Sequence, residues 1–452
     1  AENGIGISGV NSNITNNGVI YVKNAGLGFY GNNSDLKNYG QINVTDGTGI
    51  AVENNSVLSN NASLNITGEG TGITGISSNI TNQSTGNITV KKGTNISASN
   101  STVKNYGMLS NENGTGIYGN NSDVENYGTI NIENGTGAVV ENRSLLVNNA
   151  SFDITGEGTG IVGTNSTITN QSTGNITVKN GTGLHGNDSY RENYGYFNIT
   201  EGTGIVLENN SFLRNDGTVN AGGTGVSSAG SVINNLGVIN SKTGITSENS
   251  VVLNSGVINA VENGIYASNN VRTVNTGEIN GKTGVIIDSG TEEYSGHFLN
   301  TGKISGTDFA IKFSNGDNVL ELGNGSQITG KIAGSNGENV LIINGNAKID
   351  EASNFTKLVS YGNSIVTGTI NLSPSTNDYY YTEAFGTKKD LHNVSEDSSL
   401  GELTVNGTIN VGVNYDNIRN ETDKTGKIIV DSLNLQNGKV VLTNGGITTN
   451  NI

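Results

Sequence analysis

The stretch from Gly114 to Gly135, GTGIYGNNSDVENYGTINIENG, limits what this chain can fold into more than any other feature. Its opening Gly114, Thr115 and Gly116 recur along most of the sequence, and so does the pattern after them. Short apolar runs (Ile117; Val124; Ile130 and Ile132) alternate with period two and are separated by Gly, Asn and Ser, the residues that tolerate turns. None is long enough for a helix. A unit of about 20 residues with three short strands cannot bury its apolar side alone, so it must stack on copies of itself.

Aligned on the glycine of the Thr-Gly pair, or its equivalent where the pair is altered, the marks fall at Gly6, Gly28, Gly49, Gly72, Asn95, Gly116, Gly137, Gly160, Gly183, Gly204, Gly225, Gly244, Gly264 and Gly284. A longer period lies over the short one: Gly28 to Gly116 and Gly116 to Gly204 are both 88 residues, or four coils. NITNQSTGNITVK at 79–91 returns at 167–179 with Thr167 in place of Asn79, as segment duplication would produce. The fold expected is all-β, a parallel β-helix of about 20 coils with 19–25 residues in each. At about 4.8 Å per coil such a rod is roughly 100 Å long.

Strand parity assigns the faces. Ser122, Val124 and Asn126 point one way and Asp123 and Glu125 the other, while Ile130 and Ile132 share the inner face of the next strand. Charges such as Lys37, Glu53, Lys104, Glu125 and Glu141 take the outward parity. The most regular inward residue is an asparagine: Asn16, Asn38, Asn60, Asn82, Asn105, Asn126, Asn148, Asn170, Asn193, Asn215, Asn235, Asn254, Asn275 and Asn300. An amide is both donor and acceptor, so identical side chains one coil apart can bond in a continuous stack. One per coil reads as an interior ladder rather than a polar binding groove. At SYREN parity places Arg191 where Val124 sits in the matching coil; a lone buried guanidinium is costly, so a bulge or register slip that returns Arg191 to solvent is expected.

The regular coils run over 1–300. Over 301–350 the coils tighten, NGDNVLELGNG at 315–325 returning as NGENVLIINGN at 336–346. Over 351–452 the repeat degenerates around a protruding loop near 373–401, which holds the only proline, Pro374. Contacts are expected where the repeat breaks: at Tyr379, Tyr380, Tyr381, Glu383 and Phe385 in that loop, and at Glu292, Glu293 and Tyr294 in the break at 288–297. Tyrosine beside carboxylate suits a sugar ring or a basic peptide. Tyr39, Tyr106, Tyr127 and Tyr194 at the Asn-Tyr-Gly turns, with Tyr30 and Tyr118, read as aromatics covering strand edges.

Composition narrows the function classes. A net charge of −16 with five arginines disfavours nucleic acid and anionic lipid surfaces, and suits a soluble, monomeric rod. The chain has no cysteine for a disulfide framework, and no apolar run suits insertion into a membrane. It opens in mid-repeat, as a piece of something longer would. His185, His297 and His392 are far apart, and the sparse Lys and Arg form no cluster with carboxylates, so neither an enzyme nor a metal or other cofactor is expected. NGDN and NGEN lack the full calcium nonapeptide pattern and read as turns. The many Asn-x-Ser/Thr triplets follow from an Asn- and Thr-rich repeat.

The GTGIxGxNSxIxNxGxIxI coils, the passage NTGKISGTDFAIKFSNGDNVLELGNGSQITGKIAG at 300–334 and the absence of cysteine resemble the passenger domains of very large type V autotransporter adhesins, particularly those of fusobacteria. The resemblance covers at least residues 1–350. FTKLVSYGNSIVTGTINLS at 355–373 is similar to the capping region before the membrane barrel, though without its usual tryptophan. The resemblance implies a right-handed β-helix displayed outside the outer membrane of a Gram-negative bacterium. Its implied partners are a host cell-surface glycan or protein receptor, or the surface of another bacterium. The alternatives are a structural stalk presenting a distal tip and a polysaccharide-degrading β-helix enzyme.

Overall fold

The computed structural model describes residues 2–289, 296–337 and 339–355. Beyond these it describes the strands at 357–360, 364–372, 380–383, 387–390, 402–411, 418–420, 426–435 and 445–451, with side chains only at 358 and 366–371. The fold is an all-β parallel solenoid of about 16 turns, fewer than the 20 counted from the repeat, and no helix occurs among the described residues. The chain divides into two compact units, Ala1–Ser227 and Ser228–Ile452.

In the first unit a coil is one short strand, one corner and one long bent strand. Asp123–Asn126 pairs in register with Thr102–Asn105 on one side and Leu145–Asn148 on the other. Thr129–Glu141 pairs with Met108–Asn120 and Ser151–Thr164. Ser151–Thr164 holds its extra residue at a bulge, where the register shifts between Ile132 and Gly135, so the stack absorbs unequal coils without turning a side chain over. The second bend of each coil is a left-handed residue, as at Asn33 and Asn121 (φ 47° in both); asparagine tolerates that region better than other side chains.

The interior is apolar along most of its width. Leu109, Ile117, Val124, Ile130 and Ile132 are all at most 1% exposed. Each such side chain contributes about 1.5–3 kcal/mol by burial. The corner is polar instead. Asn105 donates to Asn126 at 2.8 Å and Asn126 donates to Asn148 at 2.9 Å. Bonds of the same kind link each ladder asparagine to the next from Asn16 to Asn215. The free Nδ2 hydrogen reaches the corner backbone, as from Asn105 to the Gly107 carbonyl at 3.2 Å.

The opposite bend carries a second ladder. Ser122 is buried, its backbone N–H donates to Ser144 Oγ at 3.0 Å, and its own Oγ accepts from Ser101 N–H at 3.1 Å.

The second unit keeps this plan with less even coils, its ladder steps being 19, 21 and 25 residues. Val232–Asn235, Val251–Asn254, Arg272–Asn275 and Gly296–Asn300 are its short strands, and Asn235, Asn254, Asn275 and Asn300 bond in sequence at 2.7–2.8 Å. Further along, Asn318–Gly323 lies in register with Asn339–Asn344, with Leu320, Leu322, Val340, Leu341 and Ile343 fully buried. Asn318 donates to Asn339 at 3.1 Å and also to the Gly316 carbonyl at 2.8 Å. The NGDN segment is thus a turn held by its own asparagine.

Candidate functional site

In the second unit, the corner after each ladder asparagine opens into a groove of about 530 Å³. Its floor is a column of glycines, Gly237, Gly256, Gly277 and Gly302. One rim is Ser255, Thr276 and Thr301; the other is Val238, Val257, Glu278, Lys303 and Gln327, with Leu236 closing one end. Close approach of the backbones favours glycine at three of these positions. A Cβ at Gly256, Gly277 or Gly302 would stand 2.1 Å from the carbonyl oxygen of the preceding floor glycine.

The ladder holds this floor from beneath. The Gly256 carbonyl accepts from Glu278 N–H at 2.9 Å and from Asn254 Nδ2 at 3.3 Å. That of Gly277 accepts from Lys303 N–H at 2.8 Å and Asn275 Nδ2 at 3.4 Å, and that of Gly302 from Gln327 N–H at 3.0 Å and Asn300 Nδ2 at 2.9 Å. Both lone pairs of each carbonyl are occupied, so a ligand meets the floor through van der Waals contact. Polar selection falls to the rims. Thr276 Oγ1 donates to Ser255 Oγ at 2.8 Å. Glu278 accepts from Asn280 Nδ2 at 2.8 Å.

The same turn position in the first unit carries tyrosine in four coils, at Tyr39, Tyr106, Tyr127 and Tyr194. Tyr106 and Tyr127 stack with centroids 5.0 Å apart and rings 8° from parallel. Tyr127 donates to Glu125 at 2.8 Å, and Glu125 pairs with Lys104 at 3.3 Å. That bond raises the Tyr127 phenol above its ordinary pKa. Glu125 is therefore half-buried and bonded, where parity alone left it free in solvent. Tyr194 lies under the Arg214 guanidinium at 6.0 Å. On the long-strand face, Tyr30 donates to Glu53 and Tyr118 to Glu141, one coil on.

Arg191 corrects the sequence reading. Its strand is regular, Ile168, Arg191 and Leu213 lie in register, and the side chain is fully buried. The room comes from the facing wall, where Gly163 and Gly186 are successive in register between Val140 and Leu207; a Cβ on Gly186 would stand 2.2 Å from the guanidinium carbon. Nη2 donates to the Gly163 carbonyl at 2.8 Å, while Nε and Nη1 have no partner. Burial lowers the guanidinium pKa to about 9. Parity places Arg191 inward, as observed; the cost of a lone buried guanidinium points to a bulge only while the glycines opposite are left out of account.

Among the contact candidates named from the sequence, Tyr380, Tyr381 and Glu383 lie in a strand, Tyr380–Glu383, paired antiparallel with Thr387–Asp390. Tyr379, Phe385, Glu292, Glu293 and Tyr294 lie outside the described residues, as does His392. His185 stands 3.3 Å from Glu208 and His297 3.8 Å from Glu321, whose carboxyl pKa is lowered chiefly by that histidine. Among the described residues no three His, Asp or Glu side chains converge as metal ligands would, and no helix is long and apolar enough to cross a membrane. No family model matches the sequence, and no curated protein or solved structure matches it.

The groove and the serine ladder escaped sequence reasoning. Both had a faint signal. The Asn-x-Gly turns lose their tyrosines after Tyr194, and in most coils a serine follows the left-handed residue, which is usually asparagine.

Proposed function

We propose that this chain is the passenger segment of an adhesin displayed on the surface of a Gram-negative bacterium, and that it grips a host cell or another bacterium through the groove of its second unit. The observation that carries this reading is the groove itself: a glycine floor saturated with hydrogen bonds, one hydroxyl rim and one rim of mixed character, repeated over successive coils. Fixed, ladder-supported walls cost little ordering on binding. A structural stalk is the second reading, favoured by the unbroken ladder from Asn16 to Asn215.

The test is adhesion of the purified chain to host and bacterial cells, with Ser255→Tyr and Thr276→Tyr combined as the blocking variant. Tyrosine already occupies this turn position at Tyr106 and Tyr127, so the fold should tolerate it. Adhesion by the parent chain and loss by the variant, with a strand-type circular dichroism spectrum in both, is the expected result. No adhesion by the parent favours the stalk. A chain lacking residues 374–398 should still adhere; loss there would move the contact to Tyr379, Tyr380 and Tyr381.

A further inference from the structure

Taken as the contact surface of an adhesin, the reading on which this inference rests, the groove also constrains its occupant. Its described lining holds no aromatic ring, the surface on which sugar rings stack. Its character changes along its length instead. Leu236, Val238 and Val257 make one end apolar, and Glu278, Lys303 and Gln327 make the other polar and charged. Glu278 and Lys303 are neighbours in register. Elsewhere in this unit Lys242 and Lys282 each pair with a carboxylate of an adjoining coil, at 3.4 Å in both cases. Glu278 and Lys303 do not pair with each other, and Lys303 is exposed.

We propose that the groove binds a partner protein through one extended polypeptide segment of the pattern aliphatic–x–Lys/Arg–x–Asp/Glu. The spacing comes from two repeats. Successive coils place the rim residues about 4.8 Å apart, so Glu278 and Lys303 lie about 10 and 14 Å beyond Val238. An extended strand turns every second side chain to the same side, about 6.7 Å apart. An aliphatic residue seated between Val238 and Val257 puts the next inward side chain close to Glu278 and the one after it close to Lys303. A cation is complementary to the first and a carboxylate to the second. The intervening outward residues face solvent.

The probe is the peptide acetyl-Thr-Leu-Thr-Lys-Thr-Glu-Thr-amide, against its charge-swapped partner acetyl-Thr-Leu-Thr-Glu-Thr-Lys-Thr-amide, titrated into the full chain by calorimetry. The first should bind at least about tenfold more tightly than the second, and the preference should weaken as salt is raised. The double variant Glu278→Lys with Lys303→Glu should reverse the preference, which a variant that had merely lost its fold could not do. Equal binding of the two peptides, no binding of either, or an unreversed preference would overturn the proposal, as would linear oligosaccharides binding more tightly than the first peptide. If peptides fail while the Ser255→Tyr/Thr276→Tyr chain still loses cell adhesion, this inference falls and the adhesin reading stands. If that variant adheres like the parent, the adhesin reading itself is wrong about the groove.

Discussion

The two units solve the same corner differently. Each stacks an asparagine at the end of its short strand and a glycine after the turn, as in Asn105-Tyr106-Gly107 and Asn275-Thr276-Gly277. In the first unit the residue between is often tyrosine, whose ring packs along the stack or against a neighbouring charge. In the second it is Leu236, Ser255, Thr276 or Thr301, and the glycine column lies open as a groove. The difference teaches that ladder and floor form the scaffold, while one variable residue per coil decides whether the corner is closed or available.

The sharpest way to break this comparison is to remove the ladder in each unit. Asn126→Leu strands the Asn105 and Asn148 amides, and Asn275→Leu strands those of Asn254 and Asn300. Each stranded buried amide should cost about 1–3 kcal/mol in chemical denaturation. Both variants should lose stability, but only Asn275→Leu should also lose adhesion, because Asn275 holds the Gly277 carbonyl in the groove floor. Loss of adhesion in both would mean that the corner of the first unit binds as well.

Arg191→Leu should move stability the other way. A buried cation with one hydrogen bond gives way to an apolar side chain, and a gain of about 1–4 kcal/mol at neutral pH is expected. The pH dependence has a definite sign. Burial lowers the folded pKa to about 9 and leaves the unfolded one at its ordinary higher value. From about pH 9 upward the unfolded chain therefore binds the extra proton, and the parent gains stability as pH rises. Below that window the penalty is present in full. The difference in melting temperature between variant and parent should thus shrink above pH 9; a constant difference would assign the gain to packing alone.

A smaller effect comes from the closed corner. Tyr106→Ala should lose the ring stacking worth about 0.5–1.5 kcal/mol on top of the buried area, without changing adhesion. Smallest is Glu125→Gln, which removes the Lys104 pair and weakens the Tyr127 bond at a partly exposed site, for less than about 1 kcal/mol. A loss from Glu125→Gln as large as that from Asn126→Leu would show that outward pairs, rather than the ladder, hold the coils together.

Sequence alone determined the parts of this molecule that repeat. Period-two alternation and a return every 19–25 residues leave a short-stranded chain no way to bury Val124 or Ile130 except by stacking. One asparagine at the same phase of each coil is then sufficient to specify a ladder, because translation along the stack brings identical amides together. What does not repeat was decided by tertiary structure. Arg191 stays inside because Gly163 and Gly186, 28 and 5 residues earlier, leave a space that parity on its own strand cannot report. The groove exists because side chains from successive coils are small at one corner, so its shape belongs to neighbours about 20 residues apart and to no single segment of the chain.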